Sequence, residues 1–168
     1  MQQGKDHARE VARRIISELG ISGPPVPVER IAKARGIRIQ YAPLDEELSG
    51  MAFVKDGISV IGVNAIHHPN RQRFTIAHEL AHHLLHRDHL EGQVHVDKTI
   101  LKRDILAHSG TDRIEVDANA FAAELLMPED MIAQAIEGGL DIADDVKLAA
   151  IAKRFRVSTA ALQFRLMA

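Results

Sequence analysis

Ala8, Val11, Ala12, Ile15 and Leu19 recur at three- and four-residue spacings, the stripe of an amphipathic helix, and Gly20 closes it. The run GPPVPV then forces a turn. Pro27 opens a second short helix, Val28 to Arg35, which Gly36 ends before the β-branched run IRIQY, a predicted strand. In GMAFVKDGISVIGVNA two apolar arms meet at Asp56-Gly57, a dipeptide suited to the positive φ angles of a tight hairpin turn, so a small antiparallel sheet is expected. After Pro69, Asn70 is the expected N-cap of a helix that buries Phe74, Ala77, Leu80, Ala81 and Leu84 on one side.

Residues 87–111 have mixed polarity and no period, which predicts an irregular loop. Asp112 to Met127 is helical in pattern and stops at Pro128; EDMIAQAIEGG follows as a short helix ended by its glycines, and two more helices fill the remainder. The last pair has a helix-turn-helix rhythm, with a turn at Arg156-Val157 and Ser158 as N-cap of the second helix. No internal repeat or low-complexity tract interrupts the chain.

Composition narrows the field. A length of 168 residues suits one domain with a small appendage, and a net charge of -2 supplies no global field for nucleic acid or acidic membranes. With no cysteine, disulfides and thiolate metal sites are excluded. The first residues, MQQGKDHARE, are polar where a secretory signal needs an apolar run, and no apolar stretch reaches membrane-spanning length, so a cytoplasmic protein is expected.

The chemistry concentrates in FTIAHELAHHLLH, residues 74–86. On an α-helix a four-residue step rises roughly 6 Å and returns to nearly the same side, so His78 and His82 present two imidazoles to one ion. Zinc is the natural guest, since it takes nitrogen and oxygen ligands and its catalytic sites use three protein ligands. Glu79 lies about 100° around the helix, near enough to act as a base without ligating. The H-E-x-x-H pattern alone would arise in roughly 4% of chains of this composition, so a third ligand must decide.

Where a short-range third ligand would need a glycine at 85 and a ligand at 88, the sequence has Leu85 and Asp88. The ligand is therefore expected on another helix. DRIEVDANAFAAELLMP puts Glu115, Ala118, Asn119 and Ala122 on one face, whose alanines permit a close approach. Glu115 is the candidate ligand and Asn119 a hydrogen-bond partner for a ligand imidazole, with Asp117 as the alternative ligand. Asp112 and Glu115 also fit a capping box, in which Glu115 serves only the backbone. His83, His86, His89, His95 and His108 are either supporting groups of the site or ordinary structural histidines. The strand ISVIGVN is a candidate edge on which an extended peptide could add.

FTIAHELAHHLLH followed by IEVDANAFAAELLMP resembles the ImmA/IrrE family of metallo-endopeptidases. The family's hallmark pairs an H-E-x-x-H helix with an E-x-x-A-N-x-F-A-x-x-L-L-x-P helix, and the likeness extends more loosely over residues 25–130. It implies that His78, His82 and Glu115 bind Zn2+ and that Glu79 is the catalytic acid/base. It also implies cleavage of a regulatory protein, often a helix-turn-helix repressor or antitoxin-like partner, in stress response, mobile-element transfer or toxin-antitoxin control.

From 141 to 168 five basic residues face three acidic ones, a weak field for DNA, though Thr159, Gln163 and Arg165 on the last helix are of types that touch bases or phosphates. A DNA-binding or scaffold regulator with a structural zinc is therefore the alternative. A purely structural site closes with four protein ligands and gives Glu79 no task, which favours the peptidase. The expected fold is α+β: a small antiparallel or mixed sheet packed on helices, a zincin-like H-E-x-x-H helix, and a C-terminal helix-turn-helix-like appendage. Residues 1–130 are expected to form the zinc metallopeptidase-like domain and 131–168 a helical segment packed on it. Sequence names neither the oligomeric state nor the cut site.

Overall fold

The structure, a computed structural model, describes residues 2–98 and 111–168. Among these, seven α-helices and four strands follow in the order α1 (Gln2–Glu18), α2 (Val28–Ala34), β1 (Arg38–Ala42), β2 (Leu48–Lys55), β3 (Ile58–Asn64), α3 (Pro69–Leu85), β4 (His95–Lys98), α4 (Thr111–Leu126), α5 (Glu129–Ala135), α6 (Asp145–Phe155) and α7 (Thr159–Met167). The fold is α+β, as the hydrophobic pattern predicts. Of the loop expected at 87–111, residues 99–110, with His108, lie outside the described residues, as does the side chain of Asp112 and with it the capping-box alternative.

The sheet runs β1-β3-β2-β4, with β1 parallel to β3 and the other pairs antiparallel. Asp56 and Gly57 take φ of 51° and 75°, which closes the β2–β3 hairpin as its dipeptide predicts. Two expectations are corrected. The strand ISVIGVN, β3, is internal and not an edge: β1 returns parallel to it on the side away from β2. Its nearly unbroken burial suits a strand enclosed by neighbours rather than one open to a peptide. Second, residues 87–98 are not irregular, because a 3-10 turn at Arg87–His89 leads into β4, which pairs with β2. HVDK has little strand propensity of its own; the free edge of β2 supplies the hydrogen bonds that make it a strand.

Helix α3 lies between the sheet and α4, and α1 packs against the other side of α4. Its start also differs from expectation. His68, not Asn70, is the N-cap: its Nδ1 accepts from the Asn70 N–H at 3.0 Å, while Pro69 takes the first helical position, where a missing N–H costs nothing. Ala77, Leu80 and Ala81 are fully buried; Phe74 and Leu84 are partly so. At Gly50 on β2 the sheet meets α3 so closely that an added Cβ would lie 2.4 Å from both the Gly62 carbonyl oxygen and Thr75 Cγ2. Buried Asn64 shapes the loop before β2: its Oδ1 accepts from the Leu44 and Ile66 N–H groups, and its Nδ2 donates to the carbonyls of Asp45 and Leu48.

Leu148, Ile151, Phe155 and Leu162 of the C-terminal helices join the same apolar core as Phe121 and Leu125 of α4. Arg156, with φ 54°, makes the turn between α6 and α7, and Ser158 Oγ caps α7 by accepting from the Ala161 N–H at 3.1 Å. Arg165, one of the residues that the DNA-binding alternative would turn outward, donates to Glu124 Oε2 at 2.6 Å and to the Met127 carbonyl. Glu124 is 1% exposed and also accepts from Arg13 of α1 at 3.0 Å. Among the described residues no helix is long and apolar enough to cross a membrane.

Candidate metal centre

The paired helices set the geometry. On α3, His78, Glu79 and His82 are 0%, 0% and 1% exposed, far drier than polar side chains are unless something satisfies them. The i, i+4 spacing brings the two Nε2 atoms to 3.2 Å. On α4, fully buried Ala118 and Ala122 allow the close helix contact that Glu115 needs. Its Oε2 then lies 3.0 Å from His78 Nε2 and its Oε1 3.2 Å from His82 Nε2. Asn119, one turn on, places Oδ1 3.0 Å from His78 Nδ1.

These contacts can be tested against a metal. Because an amide oxygen only accepts, His78 carries its proton on Nδ1, and a neutral ring then aims the Nε2 lone pair at a carboxylate and at a second imidazole nitrogen. That encounter is repulsive unless positive charge lies between them, either protons or one shared cation. Ligand atoms about 2.0–2.1 Å from a tetrahedral ion stand roughly 3.3 Å apart, close to the separations found here. The donor set, two imidazoles and a carboxylate, is also one that zinc accepts. His78, His82 and Glu115 therefore form a group that could hold a metal ion. Burial pushes His82 down to about 3, against the pull of Glu115, and so keeps its nitrogen available to a metal at neutral pH. Burial opposes ionisation of Glu115, but the neighbouring imidazoles of His78, His82 and His95 hold the carboxyl well below the usual carboxylate range.

Glu79 sits beside this group. Burial pushes its carboxyl up, against the opposing pull of His95 and His78. Its Oε2 accepts from His95 Nδ1 at 3.0 Å, and His95 Nε2 reaches Glu115 Oε1 at 2.7 Å. The His95 ring also lies against that of His82, with centroids 3.9 Å apart and the planes tilted by 32°. Burial pushes the His95 imidazolium down, yet the bonds to Glu115 and Glu79 outweigh it and raise its pKa to about 10.

The structure thus brings together His78, Glu79, His82, Glu115 and Asn119, and adds one residue that sequence left among five undistinguished histidines. The signal for His95 was present in QVHVDK: Val94 and Val96 alternate with His95 and Asp97, and a strand puts the latter two on one face. Asp97 is buried there and forms a further group with His78 and Glu79. Asp117, the alternative ligand, points elsewhere and lies 3.9 Å from His86 Nε2. His83 donates from Nε2 to the Val60 carbonyl at 2.8 Å, a structural role that ties α3 to β3. His89 lies in the exposed 3-10 turn.

A H-E-x-x-H helix facing a carboxylate-bearing helix, beside the edge of a mixed sheet, is the architecture of a metallopeptidase fold. The family model described as the IrrE N-terminal-like domain matches residues 32–167, and the chain belongs to this peptidase family. Over 112 residues, 64% of the chain, it is 37% identical to the radiation response metalloprotease IrrE of Deinococcus radiodurans. The match spans 30% of that relative's length. Among solved structures, a Mycobacterium tuberculosis transcriptional regulator superposes with a TM-score of 0.63 and 20% identity, covering 94% of this chain and 45% of that one. At that identity the likeness is one of fold.

Proposed function

We propose that this chain is a zinc-dependent endopeptidase in which His78, His82 and Glu115 hold the metal and Glu79 is the general base and acid. The observation that carries the reading is the convergence of two buried imidazole nitrogens on a carboxylate from a second helix, with a buried glutamate alongside. Zinc bound there supplies Lewis-acid polarisation of a peptide carbonyl and acidifies water. Glu79 takes the proton from the attacking water at its carboxylate and delivers it to the leaving amine nitrogen, a role that its burial tunes. Asn119 fixes the tautomer and orientation of the His78 ring. A metal that only held the fold together would leave Glu79 without a task.

On this reading residues 1–130 carry the peptidase and 131–168 form a helical segment packed upon it, in a cytoplasmic protein. The substrate we infer is a regulatory protein, of the helix-turn-helix repressor or antitoxin-like kind, cleaved in a stress, mobile-element or toxin-antitoxin response. The relative's name, a radiation response metalloprotease, supports a stress-response setting. The engagement of Arg165 with Glu124 weakens the alternative of DNA recognition through the last helix.

The test is Glu79→Gln, which keeps the shape of the side chain and removes its basicity. The variant is expected to bind zinc as the wild type does and to cleave a helix-turn-helix repressor that the wild type cuts at least about 100-fold more slowly. Undiminished cleavage would remove Glu79 from the mechanism, and cleavage by chelator-stripped wild type would remove the metal.

A further inference from the structure

All three imidazole Nε2 atoms of the site lie within 3.2 Å of the oxygens of one carboxylate: His78 at 3.0 Å, His82 at 3.2 Å and His95 at 2.7 Å from Glu115. The rings of His78 and His95 are also held alike. Each points Nδ1 at a side-chain oxygen 3.0 Å away, Asn119 Oδ1 for one and Glu79 Oε2 for the other, and turns Nε2 toward Glu115. An imidazole whose Nδ1–H is committed to an oxygen acceptor while Nε2 faces a cluster of donors is oriented as metal-ligating histidines are. We propose that His95 is a fourth protein ligand of this centre in the resting chain, so that β4 keeps the site closed until it is displaced. The proposal rests on the zinc-peptidase reading above and specifies how that site is regulated.

The fold supplies the second half of the argument. β4 is four residues long and pairs antiparallel with β2 through Ala52↔His95, Met51↔Val96 and Gly50↔Asp97, with a register shift between Leu48 and Gly50. It therefore occupies the β2 edge on which an extended substrate would otherwise add as a strand beside the site. Strand alternation sends His95 and Asp97 toward α3 and leaves Val96 facing outward. Such a short, shifted edge strand has few bonds to lose. His95 is also among the more accessible of the donors, 23% exposed where His78 and His82 are 0% and 1%. A substrate strand that took the β2 edge would withdraw His95 from the corner that catalysis needs and free Glu79 to take a proton.

Cobalt-loaded protein tests this without relying on turnover. X-ray absorption is expected to count three imidazoles on the cobalt in the wild type and two in His95→Ala. Acetohydroxamate, a small chelating probe, is expected to bind the cobalt of His95→Ala about tenfold more tightly, the gain for a corner that is open in about a tenth of wild-type molecules. His95→Gln, which keeps a donor toward Glu79 but cannot ligate as imidazole does, should behave like His95→Ala and guards against a folding defect, with circular dichroism as the check. Two imidazoles in the wild type, or equal hydroxamate affinity in all three proteins, overturns the proposal while leaving the peptidase reading in place. If the wild type takes up no cobalt, both fall together.

Discussion

Asn119→Ala isolates the amide that orients the ring of His78, the first of the proposed ligands. In the folded protein the His78 ring is fully buried, and Asn119 Oδ1, 3.0 Å away, obliges Nδ1 to carry the proton, which leaves Nε2 free to face a metal. Without that oxygen the Nδ1–H has no acceptor, and a buried donor in that state costs about 1–3 kcal/mol. The metal-free protein can escape most of this by moving the proton to Nε2, where Glu115 Oε2 stands 3.0 Å away and accepts it. Metal binding must reverse the move, so the cost falls on the metal-bound state. Zinc affinity should drop roughly 5- to 150-fold, the same 1–3 kcal/mol expressed as a binding ratio. Competition with a chromophoric chelator measures it, and urea unfolding of the metal-free variant should show the smaller change. Asn119→Asp, which restores an acceptor, should recover most of the affinity. Unchanged zinc affinity in Asn119→Ala, or a loss wholly matched by lost stability of the metal-free fold, refutes the tautomer argument.

Three further perturbations probe the scaffold. Gly50→Ala places a Cβ 2.4 Å from a backbone oxygen and from Thr75 Cγ2, so β2 and α3 must part by roughly 1 Å; the urea midpoint should fall with a loss of at least about 1–3 kcal/mol, and an unchanged midpoint would contradict the packing. Glu124→Ala leaves Arg165, 13% exposed, without its 2.6 Å partner and removes the link to Arg13, so stability should fall by about 3 kcal/mol and α7 should become an early target of limited proteolysis; a neutral variant rejects the tether. In the metal-free protein, His95 is raised to about 10, so its stabilisation is full below its unfolded value near 6.5 and is lost as pH rises through about 10. His82, lowered to about 3, acts oppositely: stability falls as pH drops from near 6.5 toward about 3, because the unfolded chain takes up a proton that the folded one refuses. Chemical unfolding across pH should therefore give an optimum near neutrality, and His95→Gln should flatten the alkaline limb; an unaltered limb assigns that dependence to another group.

Much of the fold and site was readable because local chemistry and tertiary structure agree. The Asp56-Gly57 hairpin, the glycine-terminated helices and the His78, His82 pair all follow from spacings within a turn or two of backbone. Glu115 was reachable because the alanines on its face signal close helix packing. What escaped reading depends on distant partners. β4 exists because β2 has an edge to fill, and its residues carry little strand preference themselves. The internal place of β3 follows from a parallel return by β1 that no local pattern encodes. His95 was not singled out from the five candidate supporting histidines because its value comes from two acids on different helices, 16 and 20 residues away in sequence. The replacement of Asn70 by His68 at the helix start is a matter of one turn, where Pro69 fixes the first position and the preceding ring reaches the open N–H.

Zinc titration of chelator-stripped protein by calorimetry, run on the wild type and on His78→Ala, His82→Ala, Glu115→Ala and Glu79→Gln, tests the core of this account most directly. One zinc per chain should bind to the wild type and to Glu79→Gln, and binding should collapse in the other three. Equal uptake by Glu115→Ala and the wild type would mean that the two helices do not share an ion, and the account of the site would be wrong.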